Sequence, residues 1–113
     1  MGMFDNLRCE QPLPKVWEPR RGIWQTKSLG CELTTYTITA DGRLIRKAGG
    51  WGHGDVPEMQ IPYHGDIEFH DFDRERGYIQ FTARFTEGVF SRVWMEEWEP
   101  PYGRPDAQPP ADA

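Results

Sequence analysis

The sequence predicts a mainly β fold: one small antiparallel sheet of roughly five to seven strands, curled into a half-barrel or a sandwich. The first observation behind this is a set of extended runs joined by tight-turn signals. Residues 34–39 meet 43–47 through Ala40-Asp41-Gly42, 67–72 meet 78–85 across the 73–77 turn, and 78–85 meet 89–98 through Glu87-Gly88. Glycine accepts the positive φ that such hairpin turns need. The second is period-two alternation. Ile67 and Phe69, then Ile79, Phe81, Ala83 and Phe85, take every second position, while Glu68, His70, Gln80, Thr82 and Arg84 take the others. A sheet with one buried and one wet face has this pattern.

In chain order, residues 1–21 read as an irregular arm. Pro12, Pro14 and Pro19 prevent a helix and exclude a central strand there. Leu7 and Cys9 alternate with Arg8 and Glu10, which suits a short edge strand, and Phe4, Leu13 and Trp17 can pin the arm to the sheet. Residues 22–27 read as a strand and Ser28-Leu29-Gly30 as a turn. In 31–39, Tyr36 and Ile38 fall on one face and Leu33, Thr35 and Thr37 on the other, in a run rich in β-branched residues. Cys31 opens that run and reads as a buried, inert thiol.

Residues 48–65 break the pattern with five Gly and two Pro, apart from a short strand around 59–61. In 89–98, Val89, Val93 and Met95 fall on one face and Phe90, Trp94 and Trp98 on the other, so a strand covered on both faces is expected, either central or packed under the arm. A helix is the competing reading, since Trp94 and Trp98 are four apart. The Pro-rich, aromatic-poor residues 100–113 read as a mobile tail, leaving residues 1–99 as the domain.

The chain has 113 residues, enough for one domain with its own core, and five Trp help fill it. Formal net charge is −5, divided into +3 over residues 1–48 and −8 over residues 49–113. An acidic second half argues against direct nucleic-acid binding and fits a protein partner with a basic surface. Two cysteines in a domain of this size are not a disulfide framework. No run approaches the about 18 apolar residues of a membrane span, and the start has no signal-peptide pattern. A cytoplasmic protein with reduced thiols is expected.

Three groups of residues could carry chemistry. His53, His64 and His70, with Asp55, Asp66 and Asp71, are weak metal candidates whose spacing matches no standard signature. Asp66 and Glu68 share a face, which on a wet sheet reads as solubility rather than acid–base work. Gly49-Gly50-Trp51-Gly52-His53-Gly54 only superficially resembles a phosphate loop, lacking a following helix and a suitably placed Lys. No motif implies a cofactor, and no residue is assigned as catalytic. The strongest surface candidate is a partner-binding edge formed by Trp51, Tyr63, Asp66, Glu68, Asp71, Asp73 and Glu75. The plainer reading makes Trp51 and Tyr63 lids over the sheet.

The opening Met1-Gly2-Met3-Phe4-Asp5-Asn6-Leu7-Arg8-Cys9-Glu10-Gln11-Pro12-Leu13-Pro14 resembles a family of small phage and prophage proteins. The similarity continues through Trp24-Gln25-Thr26-Lys27-Ser28-Leu29-Gly30-Cys31, Tyr36-Thr37-Ile38 and Asp41-Gly42-Arg43-Leu44, and fades after about residue 45. It implies a phage context and a bacterial host cytoplasm, and transfers no activity. The leading expectation is a non-enzymatic protein-binding module, an inhibitor of a host defence complex of CRISPR type acting through its acidic half. The alternatives are a small-ligand or metal-dependent enzyme using His53, His64 and nearby carboxylates, and a virion assembly module. A free sheet edge also raises the expectation of a homodimer.

Overall fold

The structure is a computed structural model that describes residues 4–31, 33–47 and 58–113. Eight strands form one sheet: β1 (Asp5–Cys9), β2 (Trp24–Thr26), β3 (Thr35–Ile38), β4 (Leu44–Arg46), β5 (Met59–Gln60), β6 (Gly65–Asp73), β7 (Gly77–Thr86) and β8 (Val89–Glu99). A 3₁₀ turn at Arg20–Gly22 is the only helical element among the described residues. Strand order is β5-β4-β3-β1-β2-β6-β7-β8.

This bears out the β class and corrects its details. The sheet has eight strands rather than five to seven, and it is mixed rather than wholly antiparallel. It is one open sheet, not a sandwich. The departure comes from β1, which lies in the middle of the sheet instead of at its edge. It pairs antiparallel with β2 (Leu7 beside Trp24) and parallel with β3 (Leu7 beside Tyr36). The prolines that made the arm look irregular all come after Cys9, so they do not touch this ladder.

The three hairpin turns form as the glycines predict. Gly42 (φ 87) ends a three-residue loop, in which the Thr39 amide donates to Arg43 O (2.8 Å). Glu87 (φ 50) and Gly88 (φ 85) make a two-residue turn with both central residues left-handed. In the β6–β7 turn, Asp73 Oδ1 accepts from the Glu75 amide (2.8 Å) and the Arg76 amide (3.2 Å).

The core lies on one face. Leu7, Ile38, Leu44, Ile67, Phe69, Ile79, Phe81, Ala83 and Phe85 are fully buried there. Each buried Phe stabilises the fold by roughly 1.5–3 kcal/mol. Trp24 meets Phe69 and Phe81 edge-on, at 5.2 and 5.4 Å between ring centres. At one corner the sheet curls on itself without closing. The Phe90 amide donates to Gly42 O (2.9 Å), the Ile61 amide to Leu44 O (2.8 Å) and the Gly88 amide to Tyr63 O (2.8 Å).

Residues 89–99 are a strand, and it is an edge strand rather than a central one. Its face assignment also differs from simple alternation. Register shifts against β7 leave Ser91 and Glu96 as extra residues. Each extra residue flips the face of the residues after it. Phe90, Val93, Met95 and Trp98 therefore pack against the core together.

The arm packs across the far end of the sheet. Trp17 is buried, and the Arg76 guanidinium sits 4.2 Å from its ring centre. Trp98 Nε1 donates to Arg76 O (3.1 Å). After β8 the chain passes over Gly77 and returns beside the arm. The Val16 amide donates to Ala111 O (2.9 Å), the Ala113 amide to Pro14 O (3.0 Å), and Lys15 pairs with Asp112.

Both the turn and the tail contacts are testable. A Cβ at Gly77 (φ +97) would lie 2.0 Å from Glu99 O, whereas one at Gly22 (φ +69) meets nothing within 4 Å. Gly77→Ala should cost more than about 3 kcal/mol in urea denaturation, and Gly22→Ala only about 1 kcal/mol. The tail is held by few bonds, and Asp112 is 83% exposed. The Val16 and Ala113 amides should therefore exchange with deuterium about 100-fold or more faster than the Phe81 amide.

Candidate functional site

The outer face of the sheet carries a straight row of polar side chains. Thr35, Asn6, Gln25, His70, Gln80 and Glu97 are successive ladder partners across β3, β1, β2, β6, β7 and β8. Period-two geometry puts them on one side, because their neighbours Leu7, Trp24, Phe69, Ile79 and Phe81 face the core. Further along β6 and β7, Phe72 and Tyr78 stand beside this row. The His70 and Tyr78 rings stack at 5.7 Å, and Tyr78 Oη donates to Gln80 Oε1 (2.8 Å).

The arm walls this row on one side. The 3₁₀ turn brings Arg20 and Arg21 over the β1, β2 and β6 positions and borders an open cavity of about 760 Å³. Its lining includes Phe4, Asn6, Gln25, His70, Phe72 and Tyr78. Asp71 anchors this wall. It lies on the core side of β6, is buried, and its Oδ2 accepts from Trp17 Nε1 (3.0 Å) and the Arg20 amide (3.2 Å). Burial lowers the His70 pKa, Lys27 lowers it further, and Asp71 opposes both, the balance favouring the neutral ring. Burial raises the Tyr78 pKa, and Glu97, Glu99 and Glu68 add to the rise.

The expected partner-binding residues fall in several places. Asp66 and Glu68 lie on the outer face, with Asp66 near Arg84 (3.5 Å). Asp71 is the buried anchor, so its carboxylate is already engaged. Asp73 caps the β6–β7 turn and pairs with Arg76 (3.1 Å), and the amide hydrogen bond from Glu75 is the main cause of its lowered pKa. Glu75 is exposed in that turn. Tyr63 is half-buried, donates to Asp66 O (3.0 Å) and meets Phe85 edge-on at 6.3 Å, as the lid reading expects. Trp51, His53 and Asp55 lie outside the described residues.

The other two histidines do not converge. His64 precedes β6 and accepts from the Glu87 amide at Nδ1 (3.1 Å), with Arg84 3.3 Å from Nε2. His70 is six residues on, roughly 20 Å along an extended chain. Among the described residues no three His, Cys, Asp or Glu side chains form a metal-binding group. Cys31 sits in a loop with φ 55 instead of opening β3. The thiol packed against the core is Cys9, which is half-buried and whose pKa burial pushes up to about 11.

Asn6, Gln25, Arg20 and Arg21 do not stand out as a group in the sequence. Gln25 is legible as wet-facing between Trp24 and Thr26, but its juxtaposition with Asn6 and His70 depends on long-range register. Two carboxylates of the same strand should behave differently. Asp71→Ala leaves the buried Trp17 Nε1 and the partly buried Arg20 amide unpaired and should cost about 2–4 kcal/mol in urea denaturation, whereas Asp66→Ala should change stability by under about 0.5 kcal/mol.

Compared with known proteins, this chain matches no family model, no curated protein and no solved structure.

Proposed function

We propose that this protein is a non-enzymatic protein-binding module whose acidic outer face engages a basic surface on its partner. The supporting observation is the gathering of Glu68, Glu97 and Glu99 around Tyr78, all three raising its pKa. Among the described residues none of the three takes part in an ion pair. Uncompensated like charges on a rigid sheet cost self-repulsion, which a cationic partner would relieve. Tyr78 and Trp94 supply flat aromatic area on the same face, the kind that dominates protein interfaces.

The resemblance read from the first 45 or so residues to phage and prophage proteins would make a bacterial host protein the partner class. A defence complex with a basic nucleic-acid channel has the complementary charge. The alternative, a small-ligand or metal-dependent enzyme using His53, His64 and nearby carboxylates, depends on His53, which lies outside the described residues.

Affinity capture from host lysate with a salt-wash series tests this. One stoichiometric partner should be retained at low salt and lost by about 0.5 M salt. The triple variant E68Q/E97Q/E99Q should capture at least about tenfold less of it. Retention in high salt, or capture unaffected by the variant, overturns the electrostatic reading. A second copy paired through a strand edge would instead double the mass in light scattering.

A further inference from the structure

We propose that the cavity beneath Arg20 and Arg21 is a binding site for an adenine nucleotide, adjoining at Tyr78 the acidic patch of the same face. The cavity is lined by two arginines in a protein of net charge −5, and the one carboxylate at its wall, Asp71, already accepts two hydrogen bonds. Among the described residues Arg21 forms no ion pair or hydrogen bond, and the Arg20 guanidinium makes only a 3.4 Å contact to Phe72 O. Two exposed guanidinium groups at adjacent positions suit a phosphate, which accepts paired N–H donors.

The floor points to a planar, hydrogen-bonding partner. The Asn6 and Gln25 side chains are ladder neighbours in this cavity, and neither amide has a hydrogen-bond partner among the described residues. A primary amide offers one acceptor and two donors, the pattern that pairs with the N6 and N7 edge of adenine. The walls suit a ring: Phe72, 49% exposed, and Phe4 both line the cavity. A flat aromatic surface that solvent reaches is favourable for base stacking. The volume of about 760 Å³ admits a mononucleotide with room for water. A simple anion would use the arginines and leave the amides and rings idle. A neutral sugar would leave the guanidinium charge unmatched.

Isothermal titration of the full chain with AMP, adenosine and inorganic phosphate tests this. AMP should bind with Kd below about 1 mM. Adenosine and phosphate should each bind at least about tenfold more weakly. Arg21→Asn keeps a residue that tolerates the left-handed backbone (φ 59). It should reduce AMP binding at least about tenfold and leave adenosine unchanged. Gln25→Leu should weaken AMP and adenosine alike. The variant E68Q/E97Q/E99Q should bind AMP as tightly as the parent or tighter, which separates this site from the protein-binding face. Phosphate binding as tightly as AMP overturns the proposal. So does no heat with AMP at about 5 mM, or AMP binding that Arg21→Asn leaves intact. Unchanged far-UV circular dichroism confirms that each variant is folded.

Discussion

The insertion of β1 between β2 and β3 is the constraint on which the rest depends. On one side lie β3, β4 and β5; on the other lie β2, β6, β7 and β8. Each set is antiparallel within itself, and β1 is the strand through which the ladder passes from one to the other. The first residue of β1 reinforces the junction. Asp5 is fully buried and accepts from the Cys31 amide (2.7 Å) and the Thr34 amide (2.9 Å). It thereby fixes a loop in which Cys31 and Leu33 both have positive φ. A buried carboxylate is tolerable there because two backbone donors compensate its lost hydration.

The same parity rule that builds the core also sorts the charges. Along β6, odd-numbered Ile67, Phe69 and Asp71 face inward, and even-numbered Asp66, Glu68 and His70 face out. A carboxylate at position 71 becomes a tether for the arm, while one at position 68 becomes free surface charge. Because the arm is tethered there, Arg20 and Arg21 stand over the outer row at all. The result is a face with two regions, one with arginines and amides and one with glutamates around Tyr78. They adjoin where the His70 and Tyr78 rings stack, and the ladder holds them in fixed relation.

Much of the sheet was legible in the sequence, for local reasons. The hairpins β3–β4, β6–β7 and β7–β8 need only short loops, and Gly42, Gly77 and Gly88 announce them. Alternation along β6 and β7 then assigns every core residue there. What stayed hidden was non-local. Nothing in residues 5–9 marks a parallel partner about thirty positions away, and three nearby prolines argued against a central strand, leaving only a short edge strand expected there. The candidate site shares this limit, since Asn6, Gln25 and His70 come from three strands brought together only by register. The acidic run at 66–75 was visible, yet its members divide among the outer face, the arm anchor and a turn.

The two bulges in β8 carry a consequence beyond the placement of its apolar side chains. Deleting Ser91 and Glu96 would leave β8 in unbroken register with β7. The strand would then be long and straight, and open along its free side beyond the Phe90 amide, which donates to Gly42 O. Such an edge is a template for its own kind, so the shortened chain would be prone to self-templated polymer growth. The irregularity in β8 interrupts the flat ladder that such edge-to-edge growth needs.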